Sequence, residues 1–247
     1  MSQGSKKRRG ANTSRATTSR VEVKQGRKGR ALHINGTLAS WYDPDSPITG
    51  SVWDALVAPL LLLPRHARRR VLILGLGGGS AARIVRAIAP RARITGVEFD
   101  KKVVKAAKRW FDLDSLGVDV VCEDALHFLG HTRKQFDIIF EDIFIGSGRS
   151  VHKPDWLPEP GHTLAARRLL PGGVLVSNTI DETAAVGAAM RRNFQSTLRI
   201  DVADYDNRIV VGARFPLSGR TLRSAVEASR VLAPTAPRLS FRSDRSS

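Results

Sequence analysis

A short apolar strand, followed at once by a cluster of glycines and then a helix, is the feature that most constrains how this chain can fold. Residues 71–74 are all apolar, which is typical of a strand buried on both faces of a parallel sheet. Gly75 and Gly77 allow the backbone to turn tightly and to approach a ligand with no Cβ in the way. A helical pattern then runs over residues 80–88. The pattern indicates a nucleotide-binding turn, and the absence of a GxxxxGK[ST] segment excludes an NTPase loop.

The alternation of strand and helix signals beyond this turn sets the fold class. Apolar strand segments separated by helical patterns are typical of a doubly wound sheet. The last two strand segments flank Tyr205-Asp206-Asn207 and are expected to form an antiparallel hairpin at the sheet edge. The sequence therefore predicts an α/β fold with a doubly wound, mostly parallel, seven-stranded sheet. The predicted strands are residues 71–74, 93–98, 118–121, 136–140, 173–177, 197–202 and 208–213.

Positive charge is concentrated at the two ends of the chain. The formal net charge is +17, of which residues 1–30 carry +9 and residues 214–247 carry +5. Two interpretations stay open: weak contact with nucleic acid or an anionic surface, or solvated tails that aid solubility. The longest apolar stretch, residues 55–63, contains Pro59 and is too short to span a bilayer. We therefore expect no membrane span and a cytoplasmic protein.

Cysteine and histidine suggest little chemistry. The single cysteine, Cys122, excludes an intrachain disulfide framework and is expected to be a buried apolar residue. The six histidines show no metal-ligand spacing, so we expect no metal. His152 lies in a long Gly/Pro loop, residues 146–161, and is expected to be solvated. That loop is long enough to form a lid over a site, or it is a surface excursion.

Acidic residues end three consecutive predicted strands. Glu98 ends the second strand, 19 residues after Gly79, where an acid that holds a ribose is expected. Asp124 and Asp142 end the third and fourth strands. Ligands of parallel sheets bind outside the carboxyl ends of the strands, so the three carboxylates are expected to share a site. The alternative is that each acid caps a helix, which suits Asp124 well.

Four segments together resemble the spermidine synthase family. They are VLILGLGGG at 71–79, GVEFD at 96–100, EDALHFL at 123–129 and FDIIFED at 136–142. The resemblance covers roughly residues 31–213. It implies a Rossmann-like domain with the class I methyltransferase fold, preceded by a small β-domain. The Asn-Gly pair at 35–36, between two apolar-rich runs, is the strongest short hairpin signal and suits that β-domain.

The resemblance also implies roles for individual residues. The glycines would line the site of a sulfonium donor, S-adenosylmethionine or decarboxylated S-adenosylmethionine. Glu98 would hold the ribose, and Asp124 would bond the adenine amino group with Ala125 beside it. Asp142 falls on the family's catalytic aspartate, which accepts a proton from the attacking amine. The implied donor-binding residues are Gly75, Gly77, Gly79, Glu98, Asp124 and Ala125.

The chain departs from the family mainly on the acceptor side. The family's Asp-Ser-Ser-Asp-Pro motif here reads Asp-Ile-Phe-Ile-Gly from Asp142, which loses the second acid. A Tyr-His pair of the family aligns with Val52-Trp53, and the aspartate of its glycine loop aligns with Gly78. Trp53, Ile143 and Phe144 therefore predict a more apolar acceptor pocket, with ordinary core packing as the alternative.

These observations favour a transferase of polyamine biosynthesis type. It would move an aminopropyl or a methyl group to a small-molecule acceptor. For the oligomeric state, a homodimer is one open alternative. The alternative is a non-catalytic nucleotide- or nucleic-acid-binding relative on the same fold. The expected organisation is a disordered basic tail over 1–28, a small β region over 29–50, a donor-binding catalytic domain over 51–215, and a weak helix with a basic tail over 216–247.

Overall fold

The computed structural model describes residues 19–148 and 150–243, and their strands form two sheets. The smaller sheet contains the first three strands, and the larger contains the other eight. The strands are β1 (Val21–Gln25), β2 (Arg30–Ile34), β3 (Thr37–Tyr42), β4 (Arg70–Leu74), β5 (Arg93–Glu98), β6 (Val118–Cys122), β7 (Phe136–Glu141), β8 (Leu169–Thr179), β9 (Ser196–Val202), β10 (Arg208–Ala213) and β11 (Leu239–Ser243).

Helices cover both faces of the larger sheet. Alternate residues of β4 belong to two different apolar clusters: Val71 and Ile73 pack on one face, and Leu72 and Leu74 on the other. This burial on both faces explains why the strand is apolar throughout. The helices are α1 (Val52–Val57), α2 (Ser80–Ile88), α3 (Lys101–Trp110), α4 (Ala125–His131), α5 (Gly161–Arg167), α6 (Thr183–Asn193) and α7 (Gly219–Glu227).

The order of the strands creates a crevice at one edge of the sheet. Across the larger sheet the order is β11-β9-β10-β8-β7-β4-β5-β6. From β4 the chain runs outward through β5 and β6, then crosses back to place β7 on the other side of β4. The order reverses between β4 and β7, and ligands of open α/β sheets bind at such a reversal. The residues just after β4 and β7 are therefore where a site is expected.

The predicted doubly wound α/β fold is confirmed, with one strand more than expected. β4, β5, β6, β7 and β8 are parallel, and β10 pairs antiparallel with β8 and β9. Strand β11 pairs antiparallel with β9, so the β9–β10 hairpin does not form the edge of the sheet. The sequence predicted a basic tail at the C-terminal end of residues 216–247. This prediction is wrong for residues 239–243, which form β11 with Leu239 buried against the core. Residues 244–247 lie outside the described part of the chain.

The segment before β11 is also more ordered than expected. The weak helix predicted there is α7, which begins at Gly219 and ends at Glu227. Its Leu222 and Val226 are buried in the main core, and Ser218 caps it by accepting a hydrogen bond from the Thr221 N–H. The C-terminal region therefore completes the domain.

The N-terminal β region is a three-stranded sheet. The predicted hairpin turn is present, with φ of +49° at Asn35 and +82° at Gly36, the left-handed conformations that such a turn needs. The prediction of a tail through residue 28 is wrong from Val21 onward, because β1 pairs with β2. Val21 and Val23 of β1 pack against the cluster that contains the buried Leu32. This apolar contact stabilises a strand that is short and carries charged residues. The basic segment of residues 1–18 lies outside the described residues.

In the part of the chain that the structure describes, no helix is both long and apolar enough to cross a membrane.

Candidate active site

The glycine turn after β4 lies directly against the chain that leaves β7. Gly75, Gly77 and Gly79 have φ of +83°, +54° and +89°, which favour glycine. A Cβ at Gly75 would lie 2.4 Å from the carbonyl oxygen of Asp142. The N–H groups of Gly75 and Leu76 both bond to the carbonyl oxygen of Val97, at 3.0 and 3.1 Å. The turn therefore joins the tips of β4, β5 and β7.

Glu98 connects the tip of β5 to the same turn. Its Oε2 accepts a hydrogen bond of 2.9 Å from the Gly77 N–H, and its Oε1 accepts one of 3.1 Å from the Asp100 N–H. Burial raises the pKa of Glu98, and the two backbone donors oppose that rise. A carboxylate has about four acceptor positions, so two remain for hydroxyl groups of a ligand.

The small N-terminal sheet also reaches the turn. The Gly78 N–H donates a 2.6 Å hydrogen bond to Ser40 Oγ of β3, and a Cβ at Gly78 would lie 2.8 Å from the Ser40 Cβ. Ser80, the first residue of α2, also contacts this sheet, since its Oγ accepts a hydrogen bond from the Trp41 N–H. The absence of a side chain at Gly78 therefore leaves the space that the Ser40 side chain fills.

Asp142, directly after β7, is held by two neutral donors from neighbouring elements. Trp53 Nε1 of α1 donates to Oδ2 at 2.9 Å, and Asn178 Nδ2 of β8 donates to Oδ1 at 2.8 Å. Asn178 is oriented in turn by Asn207, whose Nδ2 donates to its Oδ1. Burial raises the pKa of Asp142, while Asn178, the charge of Lys153 and Trp53 oppose the rise. A carboxylate in this state is suited to accept a proton.

Asp124 and Ala125 lie at the end of β6, next to the tip of β5. The Glu123 N–H bonds to the carbonyl oxygen of Glu98 at 3.1 Å, which joins the two strand ends. Asp124 is exposed and caps α4, since its Oδ1 accepts a hydrogen bond from the His127 N–H at 2.9 Å. The N-cap alternative for Asp124 is thus what the structure contains, and its predicted adenine contact stays a prediction. Ala125 is buried.

The three residues predicted to line an acceptor pocket have unequal surroundings. Trp53 is buried in α1 and contacts the Asp142 carboxylate. Ile143 and Phe144 are partly buried and follow Asp142 directly. The Ile143 N–H donates to Glu141 Oε1, and the Phe144 ring centroid lies 4.1 Å from Lys153 Nζ. The structure thus brings Trp53 to Asp142 and Phe144 to a buried ammonium group.

That ammonium belongs to an ion pair that sequence reasoning missed. Lys153 Nζ lies 2.7 Å from Glu141 Oε1, and both side chains are almost completely buried. Ser177 Oγ donates to Glu141 Oε2 at 2.5 Å, and His162 Nε2 lies 3.5 Å from the same oxygen. Burial alone would raise the pKa of Glu141, but Lys153 and His162 lower it to about 2. The one sequence signal was an acid directly after the apolar run of residues 138–140.

Lys153 also anchors the long loop that follows β7. Its N–H donates to Glu182 Oε1 at 2.8 Å, and Ile145 and His152 exchange two backbone hydrogen bonds. His152 is exposed, as predicted. Arg149 of this loop lies outside the described residues. The loop is thus attached to the core at Lys153, which contacts Glu141, the residue before Asp142.

Two predictions about cysteine and histidine need correction. Cys122 is exposed, because it ends β6, the edge strand of the sheet. The spacing of the histidines predicted no metal site, yet the structure brings Glu123, His127 and His131 together. The four-residue spacing of His127 and His131 was visible in the sequence, but it indicates a common face only because both lie on α4, and Glu123 lies just before the Asp124 N-cap of that helix.

Comparisons with known proteins show the family of the chain. A family model described as the spermine/spermidine synthase domain matches residues 55–203. A probable polyamine aminopropyl transferase of Bifidobacterium longum is 30% identical over 199 residues, which cover 76% of this chain and 43% of the relative. An eEF1A lysine and N-terminal methyltransferase homolog of Drosophila melanogaster is 31% identical over 134 residues, 53% of this chain and 19% of the relative. The chain spans about half the length of the first polyamine aminopropyltransferases it matches.

A solved structure supports the fold over nearly the whole chain. The probable spermidine synthase from Corynebacterium glutamicum superposes with a TM-score of 0.73 and 21% sequence identity. The superposition covers 92% of this chain and 88% of that one. At this identity the likeness establishes the shared fold.

The buried ion pair generates a stability prediction. Lys153→Met leaves the Glu141 charge buried without its partner, which should lower the free energy of unfolding at neutral pH by about 3–5 kcal/mol. Urea denaturation measures the loss. In the matched variant Glu141→Gln/Lys153→Met, the amide keeps an acceptor for Ser177 and no charge is buried, so most of the stability should return. A Lys153→Met protein within about 1 kcal/mol of wild type would contradict the assigned pairing.

Proposed function

Because the chain belongs to the spermine/spermidine synthase domain family, we propose that it is a transferase that moves an aminopropyl or methyl group from a sulfonium donor to a nucleophilic small-molecule acceptor. The donor is decarboxylated S-adenosylmethionine or S-adenosylmethionine. The observation that carries the proposal is the position of Asp142. Its carboxylate is held by Trp53 and Asn178 at the strand-order reversal, directly beside the glycine turn.

The donor would lie across the tips of β4, β5 and β6. The turn at Gly75 and Gly77 offers close approach to the backbone, as a bulky nucleoside needs. Glu98 has acceptor positions left for the two ribose hydroxyls. Asp124 and Ala125 stand at the neighbouring tip, within reach of a base held by that ribose. Close approach to the backbone and free acceptor positions for hydroxyl groups are what an adenosyl group requires.

Asp142 would act on the acceptor. The lone pair of the acceptor amine forms a bond to the carbon next to sulfur, while the carbon–sulfur bond breaks and the thioether leaves as a neutral molecule. The amine gains a positive charge, and its proton passes to Asp142. The sulfonium is already activated, so the protein contributes alignment and a proton acceptor. Trp53 and Asn178 fix the carboxylate for both tasks.

Methyl transfer from S-adenosylmethionine is the second candidate. The donor side keeps the family's residues, whereas the acceptor side has lost the second acid that follows Asp142. The chain is similar over 134 residues to a protein named as a lysine and N-terminal methyltransferase homolog, and this similarity favours methyl transfer. The buried Trp53 bonds to the Asp142 carboxylate and the partly buried Phe144 lies two residues after it, so the surroundings of Asp142 are partly apolar, which suits an acceptor with fewer charges than a polyamine.

Product analysis separates the two candidates. The full chain is incubated with each donor and a panel of amines, and methylthioadenosine and adenosylhomocysteine are quantified. Aminopropyl transfer yields the first product and methyl transfer the second. Asp142→Asn should lower turnover by about 10²–10⁴-fold while donor binding persists, because the proton acceptor is lost. Asp119→Asn, at an exposed position near the opposite end of β6, is the matched control and should leave turnover unchanged. Absence of both products, or full turnover in Asp142→Asn, would contradict the proposal.

The raised pKa of Asp142 predicts the acid limb of the pH profile. A protonated carboxylate accepts no proton, so kcat/KM should fall as the pH drops through the Asp142 pKa, which burial places above the ordinary aspartate range. Asn178 donates to the ionised form and lowers this pKa. Asn178→Ala should therefore move the acid limb to higher pH, as measured by steady-state kinetics over a pH series. An acid limb that does not move would assign it to another group.

A further inference from the structure

Three side chains with metal-ligand chemistry lie together at α4, beside the proposed donor site. His127 and His131 are four residues apart on α4, which places them on one side of the helix, and Glu123 lies just before the Asp124 N-cap. One ligand atom from each lies within 4.8 Å of the others. We propose that these three residues bind a divalent transition-metal ion of the zinc class. The proposal is independent of the transferase function.

The carboxylate already faces both imidazoles. Glu123 Oε1 contacts His127 Nδ1 and lies 3.7 Å from His131 Nδ1. The two imidazole rings have centroids 4.6 Å apart. A single acid paired with a single histidine four residues away is an ordinary surface ion pair worth little energy. The second histidine, whose Nδ1 lies 3.7 Å from the same oxygen and also contacts the His127 carbonyl oxygen, distinguishes this cluster.

Neighbouring residues restrict how the cluster can move. Asp124 caps α4 between Glu123 and the first histidine, which fixes the start of the helix. His131 packs edge-on against the buried Phe128, with ring centroids 6.1 Å apart, and its Nδ1 contacts the carbonyl oxygen of His127 at 2.7 Å. Binding through Nδ1 would replace the His131 contact with the His127 carbonyl oxygen and rotate the imidazoles, on a helix that is already formed.

The donor set indicates which ions fit. Two imidazole nitrogens and one carboxylate oxygen suit Zn²⁺, Co²⁺, Ni²⁺ or Cu²⁺, whereas Ca²⁺ and Mg²⁺ take oxygen ligands. The side chains of His127 and His131 are 73% and 54% exposed, so an ion can enter and water can complete its coordination. A three-ligand site of this kind is open, unlike a closed four-ligand structural zinc site.

Spectroscopy with Co²⁺ tests the site directly. Tag-free full chain is titrated with Co²⁺, and visible absorption of the bound ion is recorded, followed by competition with Zn²⁺. We expect one ion per chain, displaced by Zn²⁺ and not by Mg²⁺. His127→Ala and His131→Ala should each weaken binding by about tenfold or more, since removing even an outer partner of a metal ligand costs that much. His66→Ala and His152→Ala, at exposed positions elsewhere, are the matched controls and should bind as wild type does.

Thermal unfolding keeps the test independent of any folding defect. Zn²⁺ should raise the Tm of wild type but not of the His127→Ala protein, because the ion stabilises only a folded state that binds it. Without metal, the variants should unfold as wild type does, since both side chains are exposed. Equal affinity in wild type and the two variants, or binding only at millimolar Co²⁺, would overturn the proposal.

Discussion

The tight contact between the glycine turn and the chain leaving β7 sets how closely the ends of β4 and β7 approach each other at the candidate site. Gly75 sits so close to the Asp142 carbonyl oxygen that a Cβ would lie 2.4 Å from it. The next glycines give their N–H groups to Glu98 and Ser40. One five-residue turn therefore contacts the ends of three parallel strands and, through Ser40, the N-terminal sheet. The candidate site forms where these tips meet, at the reversal of strand order.

Two neighbouring carboxylates at this point have opposite environments. Glu141 points into the core, where Lys153 neutralises its charge and its pKa falls to about 2. Asp142 receives hydrogen bonds from the neutral groups of Trp53 and Asn178, and burial raises its pKa. Titratable pairs whose surroundings separate their pKa values commonly divide structural and acid–base roles. Glu141 therefore holds the loop in place through Lys153, and Asp142 is the proton acceptor that we propose.

The sequence predicted what depends on local pattern. The parallel strands were visible as apolar runs. The Asn35–Gly36 turn was visible as a pair that tolerates positive φ. The position of Glu98 at the end of its strand was visible from its distance to the glycines. Strands β1 and β11 were missed because each is five residues long, with charged or polar residues, and is stabilised by pairing across the sheet. The partner of Glu141 was missed because Lys153 reaches it from a loop that has no periodicity.

The central claim is that the strand tips bind an adenosyl-sulfonium donor. A calorimetric titration of S-adenosylmethionine and its decarboxylated form into wild type and Glu98→Gln tests it most directly. The account predicts saturable binding of at least one donor to wild type. It predicts binding about tenfold weaker in the variant, because a charged acceptor of the ribose hydroxyls is lost. Equal affinity in the two proteins, or no heat of binding with either donor, would contradict the account.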